Sequence, residues 1–264
     1  MGAGATRLAE DEELHDGLAA AGWAPTTERI LSADPGEGEI TRIFRLLGSL
    51  SGAVRAACAR GAFPLVLAGG CISATGTVAG AADGRDVGAV WLDAHADLDT
   101  PDDNASGSMD VMALSILCGS AWPALRASVP GVTTVPEREV ALLGVRDLAD
   151  YQRARLTRCT AQVVPGAFSP AAAGAAIATL PEHVYLHIDL DVLDTSVGHA
   201  NRYAAAGGPS LEAVLSTIDT TFDSAHVVAA ALTAYEPTSD HDDAILRAAR
   251  TMAARIALRA GEQR

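Results

Sequence analysis

The chain has 264 residues, 49% of them apolar and only 20% charged, a balance that suits a packed globular body and excludes a disordered chain. Its net charge is −14 and all 19 of its basic residues are arginine; this is a poor match for a nucleic-acid backbone. The acidity suits a site that holds cations or draws in a cationic substrate, or it simply keeps the chain soluble. No apolar run approaches the roughly 18 residues of a membrane span and the N-terminus has no signal-peptide pattern. The expectation is therefore a cytoplasmic protein that binds neither nucleic acid nor membrane.

In chain order, apolar residues recur at three- and four-residue spacing over 11–21 and 40–60, which predicts two amphipathic helices. Between them Arg29 to Ser32 is a weak strand candidate. Pro64 to Ala68 is a continuous apolar run stopped by Gly69-Gly70, and a helical pattern covers 74–82. Val87 to Leu92 is a second run, stopped at Asp93, with a helical pattern at 109–119. Val140 to Gly144 and Ala161 to Val164 read as further strands, 170–180 as a helix and Val184 to Ile188 as a fifth strand. A helix at 211–222 follows Ser210, Val227 to Thr233 is a sixth strand, and Asp240 and Asp242 precede a last helix at 242–259; the hydroxyl and carboxylates stand where helix caps belong. Continuous apolar runs suit strands buried on both faces, and their alternation with helices predicts a parallel sheet covered on both sides. No linker, repeat or low-complexity stretch intervenes, so residues 1–264 read as one domain.

In such a sheet the ligand site lies beyond the carboxyl ends of the strands. Asp93, His95 and Asp97 stand two apart directly after one strand, and His187, Asp189 and Asp191 repeat that spacing at the end of another. If extended geometry persists there, alternate side chains point the same way. Buried carboxylates so clustered cannot all ionise unless cations neutralise them. Four aspartates and a histidine form a hard oxygen-and-imidazole set, suited to Mn²⁺ more than to a structural Zn²⁺. The four cysteines, Cys58, Cys71, Cys118 and Cys159, show neither zinc-ribbon nor disulfide spacing.

The Gly-Gly before Cys71, the run Trp91 to Asp97, Thr100-Pro101, Ser106-Gly107, the run His187 to Asp194 and Glu236-Pro237 together resemble the arginase/agmatinase (ureohydrolase) family in order and spacing, from about Ala3 to Ala257. The resemblance implies a three-layer α/β/α fold, a binuclear manganese centre and a homo-oligomer, trimeric or hexameric. It implies that Asp93 and Asp189 bridge the metals, that Asp97 binds the first, and that His95 and Asp191 bind the second. The implied chemistry is hydrolysis of a small guanidino compound to an amine and urea. The metals acidify a bridging water, so that hydroxide attacks the guanidino carbon, while Glu236 holds the guanidinium by a charge-assisted hydrogen bond.

Several positions depart from the family pattern. Cys71 falls on a ligand histidine; a thiolate there is softer than imidazole, shifting preference toward Zn²⁺ or Fe²⁺ or weakening the first site. Asp110 replaces a histidine associated with proton transfer or substrate contact; it is a catalytic candidate if its pKa is raised and otherwise suits a cationic substrate tail, with His187 and His199 as spare proton carriers. Ser106, Ser108 and Asp110 are expected at the substrate, as is Asp99, which stands where an Asn meets a carboxylate and would repel one. Ala149 replaces an acid that meets an α-amine. These changes disfavour free L-arginine and suit an amine, a neutral tail or a larger attachment. The resemblance also leaves out an initial strand that family members insert inside the sheet. The alternative reading is a catalytically impaired binding or regulatory protein on the same scaffold. A single-zinc deacylase is disfavoured because the chain has no His-His pair.

Overall fold

All six strong apolar runs form strands: β1 (Leu65–Ala68), β2 (Gly88–Leu92), β3 (Val140–Leu143), β4 (Gln162–Val164), β5 (His183–Asp189) and β6 (His226–Thr233). In the computed structural model, which describes residues 2–31, 36 and 38–263, they make one sheet in the order β1-β6-β5-β2-β3-β4. Every neighbouring pair is parallel.

Successive strand residues face opposite sides, and both sides are apolar. Val90, Leu92, Leu186, Ile188 and Leu232 join a core with α1 (Gly2–Ala9), α2 (Glu12–Ala20), α8 (Pro170–Ile177), α9 (Leu211–Ser224) and α10 (Ala244–Glu262). Ala89, Trp91, Leu142, Tyr185 and Ala231 face α3 (Glu39–Ala59), α4 (Ser73–Ala81) and α5 (Ala113–Leu117). The result is the expected three-layer α/β/α arrangement.

Caps sit where the sequence places them. The Ser210 hydroxyl accepts from Ala213 N at 3.2 Å, and Asp240 accepts from Ile245 N at 3.1 Å and Leu246 N at 2.9 Å. The helix expected over 109–119 is divided: a 3-10 turn at Asp110–Met112 precedes the five residues of α5. Three short helices carry too little periodicity to be read from sequence, namely α1, α6 (Pro123–Arg126) and α7 (Asp150–Leu156). No strand forms at residues 29–31, and Ser32 lies outside the described residues. Among the described residues β1 pairs only with β6. Its other edge borders a groove of about 1520 Å³ whose lining includes residues 22–31.

The order of the strands places the site. The chain runs outward from β2 through β3 to β4, then returns to lay β5 on the other side of β2. Crevices form at such reversals, and this one lies between the strands that end in Asp93 and Asp189. Register aligns Leu92 with Ile188, Asp189 with Thr233, and Thr233 with Ala68, so these strand ends stand in one row.

Candidate metal centre

The two-residue spacing has a local cause beyond strand alternation. Asp93 Oδ1 accepts the backbone N–H of His95 at 2.7 Å, and Asp189 Oδ1 accepts that of Asp191 at 2.8 Å. Each aspartate folds the chain back on itself in an Asx turn. The two turns lie side by side: Asp191 Oδ1 accepts from Ala94 N at 3.3 Å, and His95 Nδ1 lies 3.4 Å from both Asp93 Oδ1 and Asp191 Oδ2. Potential donor atoms of Asp93, His95 and Asp191 thus converge.

Asp97 arrives differently from the extended geometry expected. Its φ is +51°, a left-handed conformation that aspartate tolerates better than most residues. Its side chain is buried and accepts no hydrogen bond among the described residues. Burial and then the Asp93 charge raise its carboxyl well above the usual range.

Cys71 enters from the turn after β1. It is 2% exposed, with Sγ 2.9 Å from Asp189 Oδ2, 3.9 Å from Asp93 Oδ2 and 3.3 Å from Thr233 Oγ1. Its thiol is pushed up by burial and by the Asp189 charge. The sulfur expected as a soft ligand thus lies against the Asp93 and Asp189 carboxylates.

The electrostatics call for positive charge. Burial and the Asp191 charge raise Asp189 well above its ordinary value, and burial also raises Asp93. Burial opposes an imidazolium at His95, yet Asp191 and Asp93 push its pKa up to about 12. Burial likewise opposes a charged Asp191, but His95 and the Asn201 amide hold it low. Divalent ions would answer this demand, and the donor set of carboxylates, one imidazole and one thiol fits two of them.

Supporting groups complete the centre. Trp91 Nε1 donates to Asp93 Oδ2 at 3.1 Å. His187, paired with Trp91 in register, stacks on the indole at 3.7 Å. Its two nitrogens face Tyr185 Oη at 2.9 Å and Thr233 Oγ1 at 3.4 Å, and burial lowers its pKa to about 3. His187 lies close to Cys71 and Asp93, with both ring nitrogens engaged by hydroxyls; His199 is exposed. Asp147 Oδ2 lies 3.6 Å from His95 Nε2, behind the ligand face, a carboxylate–imidazole arrangement that orients metal-binding histidines. Arg146 Nη2 donates to the carbonyls of Asp191 at 3.0 Å and Leu193 at 3.1 Å. The partners of Asp147 and Arg146 lie on other strand ends.

The expected substrate contacts are placed less simply. Asp99 is 4% exposed, and its two oxygens accept from Tyr151 Oη at 2.9 Å and Gln152 Nε2 at 3.0 Å, which ties it to α7. Asp110 Oδ1 accepts from Ile72 N at 3.1 Å, and its carboxyl, raised by burial to about 6, packs on Gly70, where a Cβ would meet it at 2.5 Å. Asp110 therefore braces the Cys71 turn. Ser106 Oγ donates to Asn104 Oδ1 at 2.7 Å and accepts from Ser108 N at 3.1 Å, while Ser108 Oγ accepts from Asp110 N at 3.3 Å. Both hydroxyls thereby help to shape their loop. Glu236 is half-buried, and its Oε2 accepts from Ser239 Oγ at 3.1 Å and Arg202 N at 3.3 Å.

The sequence profile of the Arginase family matches residues 10–260, and the chain belongs to that family. It is 32% identical over 162 residues to the arginase of Eremothecium gossypii, a match covering 55% of this chain and 40% of that protein. It is 36% identical over 105 residues to the arginase of Bacillus caldovelox, covering 39% and 35%. The matched stretches therefore span less than half the length of these relatives. In three dimensions the chain is similar to the arginase of Bacillus cereus, with a TM-score of 0.80, 22% identity, and coverage of 96% and 90%. It is also similar to proclavaminate amidino hydrolase of Streptomyces clavuligerus, with a TM-score of 0.63, 16% identity, and coverage of 88% and 74%.

Proposed function

We propose that the protein is a manganese-dependent amidinohydrolase that cleaves a small guanidino compound to an amine and urea. The observation that carries this reading is the pair of adjoining Asx turns at the sheet reversal, which brings Asp93, His95 and Asp191 together beside Asp189 and Cys71. Cys71, Asp93, His95, Asp97, Asp189 and Asp191 would hold two divalent ions. Bound metal ions of this kind supply a water-derived nucleophile at neutral pH.

The chain's own residues supply the rest. Glu236, held by Ser239 Oγ and Arg202 N, accepts hydrogen bonds from the guanidinium and presents its trigonal carbon. Attack by water oxygen forms one C–O bond, and the C–N bond to the substrate's alkyl nitrogen breaks. Asp97, free of hydrogen bonds in the cluster, receives the proton that the water gives up and returns it to the departing amine. Ala149, just before α7, offers only a methyl group, so the reading extends to guanidino compounds other than free arginine.

Urea release from a panel of guanidino compounds, paired with metal analysis, tests the proposal. Wild-type protein loaded with Mn²⁺ is expected to hold two ions and release urea; Cys71→Ser is expected to lose most of one ion, and Asp189→Asn to abolish turnover. Two tightly held ions with no C–N hydrolysis on any compound would transfer the assignment to a metal-holding binding protein.

A further inference from the structure

The loop after β5 carries Asn201, Arg202 and Tyr203 across the mouth of the centre. Asn201 is 7% exposed. Its Nδ2 donates to Asp191 Oδ2 and to the carbonyl of Ala234, both at 3.1 Å, and its Oδ1 accepts from Tyr203 N at 2.8 Å. Arg202 N donates to Glu236 Oε2. The backbone of this tripeptide is thus tied to a ligand candidate on one side and to the guanidinium holder on the other.

The side chains that follow from this anchoring face outward. Tyr203, 53% exposed, stands edge-on to His95 with ring centroids 6.4 Å apart. The Arg202 guanidinium lies over the Tyr203 ring, 5.0 Å from its centroid, a placement that aromatic faces favour for arginine. Its distance from the His95 ring is therefore no more than the sum of those two steps, which a short alkyl chain spans. Among the described residues the Arg202 side chain makes no ion pair, in a chain with 33 acidic residues. Of the acids near the mouth, Asp99 is bound by α7 and Asp147 Oδ2 lies 3.6 Å from His95 Nε2. Asp99, on which the expectation of carboxylate repulsion rests, has both oxygens engaged by α7.

We infer that Arg202, perched on Tyr203, binds a carboxylate at the far end of the substrate, so that the substrate class is a guanidino acid and not a guanidino amine. This inference rests on the amidinohydrolase reading. Glu236 takes the cationic end and Arg202 the anionic end, and the tripeptide's backbone holds the two at a set separation. Guanidinium–carboxylate pairing is bidentate and directional, so both length and charge of the substrate are selected.

The test uses Mn²⁺-loaded full-length protein and three compounds of matched length: guanidinobutanoate, aminobutylguanidine and butylguanidine. Wild type is expected to show the highest kcat/KM on the acid, with the advantage shrinking as salt screens the contact. Arg202→Gln is expected to cut the acid-to-alkyl ratio of kcat/KM about tenfold, mostly through KM. Arg202→Lys is expected to restore part of it, and Arg202→Glu to move the preference toward the amine. An unchanged acid-to-alkyl ratio in Arg202→Gln, or a wild-type preference for the amine, overturns the inference and leaves the hydrolase standing. No urea from the acid, with urea from another compound of the panel, likewise overturns the inference; no urea from any guanidino compound overturns the hydrolase reading, and this inference falls with it.

Discussion

Arg146 shows how much of the centre depends on side chains outside the candidate ligands. Its guanidinium reaches the carbonyls of Gly144, Asp191, Leu193 and Ala205, joining the end of β3 to the ligand turn after β5 and to the loop at 205–208. Burial lowers its pKa, yet the surrounding carbonyls and acids keep so strong a base charged. Lysine has the charge but not the planar fork. Arg146→Lys is expected to leave the far-UV spectrum intact while weakening metal binding roughly 10- to 100-fold, the range for removing a ligand's support; a metal titration in competition with a chelator reads this out. Wild-type affinity in that variant would show that the arginine is structural only. Gly144 explains why the approach is so close. Its φ is +98°, and a Cβ would meet Val192 at 2.7 Å and the Asp93 carbonyl at 3.1 Å, so only glycine lets the Asx turns after β2 and β5 pack over β3.

At the scale of elements, one acid joins two helices. Asp11 caps α2 by accepting from Leu14 N at 2.9 Å, and both of its oxygens accept from Arg250 of α10 at 2.7 Å. The Arg250 bonds outweigh the opposing burial and hold the Asp11 carboxyl below its usual range. A carboxyl whose folded pKa is depressed binds its proton more readily when unfolded. Its contribution is therefore complete above the ordinary value of 3.8 and is lost as pH falls through the lower folded value. Asp11→Ala is expected to cost about 2 kcal/mol at neutral pH, the sum of a lost cap and a bidentate pair. The deficit should shrink below about pH 4, and urea unfolding of both proteins at two pH values checks it. Helices with capping residues and long apolar stripes, such as α9 and α10, are legible in the sequence for this reason. The short α1, α6 and α7 are not, since a helix of one or two turns is held by what it packs against and not by its own pattern.

For the whole molecule, the centre is a concentration of negative charge that folding must overcome. Asp93, Asp97, Asp189 and Asp191 are each less than 9% exposed, and their mutual repulsion favours any state that binds cations. Metal that binds only the folded chain adds about 2.7 kcal/mol at a hundredfold excess over Kd. For a protein of this size that corresponds to a rise of roughly 5–10 °C in Tm. Calorimetry with Mn²⁺ against a chelator is expected to show this rise, and coincident transitions would remove the metal centre from the fold's stability.

Taken alone, the sequence determined which residue types gather and on which strand ends. Apolar runs bounded by Asp93 and Asp189, and the two-residue spacing that each Asx turn requires, are local properties that a linear reading captures. It also determined that Cys71 stands after the first strand of the sheet. Only the tertiary structure decided that β5 lies beside β2, so that two distant turns form one site, because strand order is a property of the closed sheet and not of any segment. The same cause turned Asp99 toward α7, set Asp110 against Gly70, and brought Arg202 to the mouth: each takes its partner from a remote part of the chain, and hydrogen-bond partners at that separation exist only once the sheet has placed them.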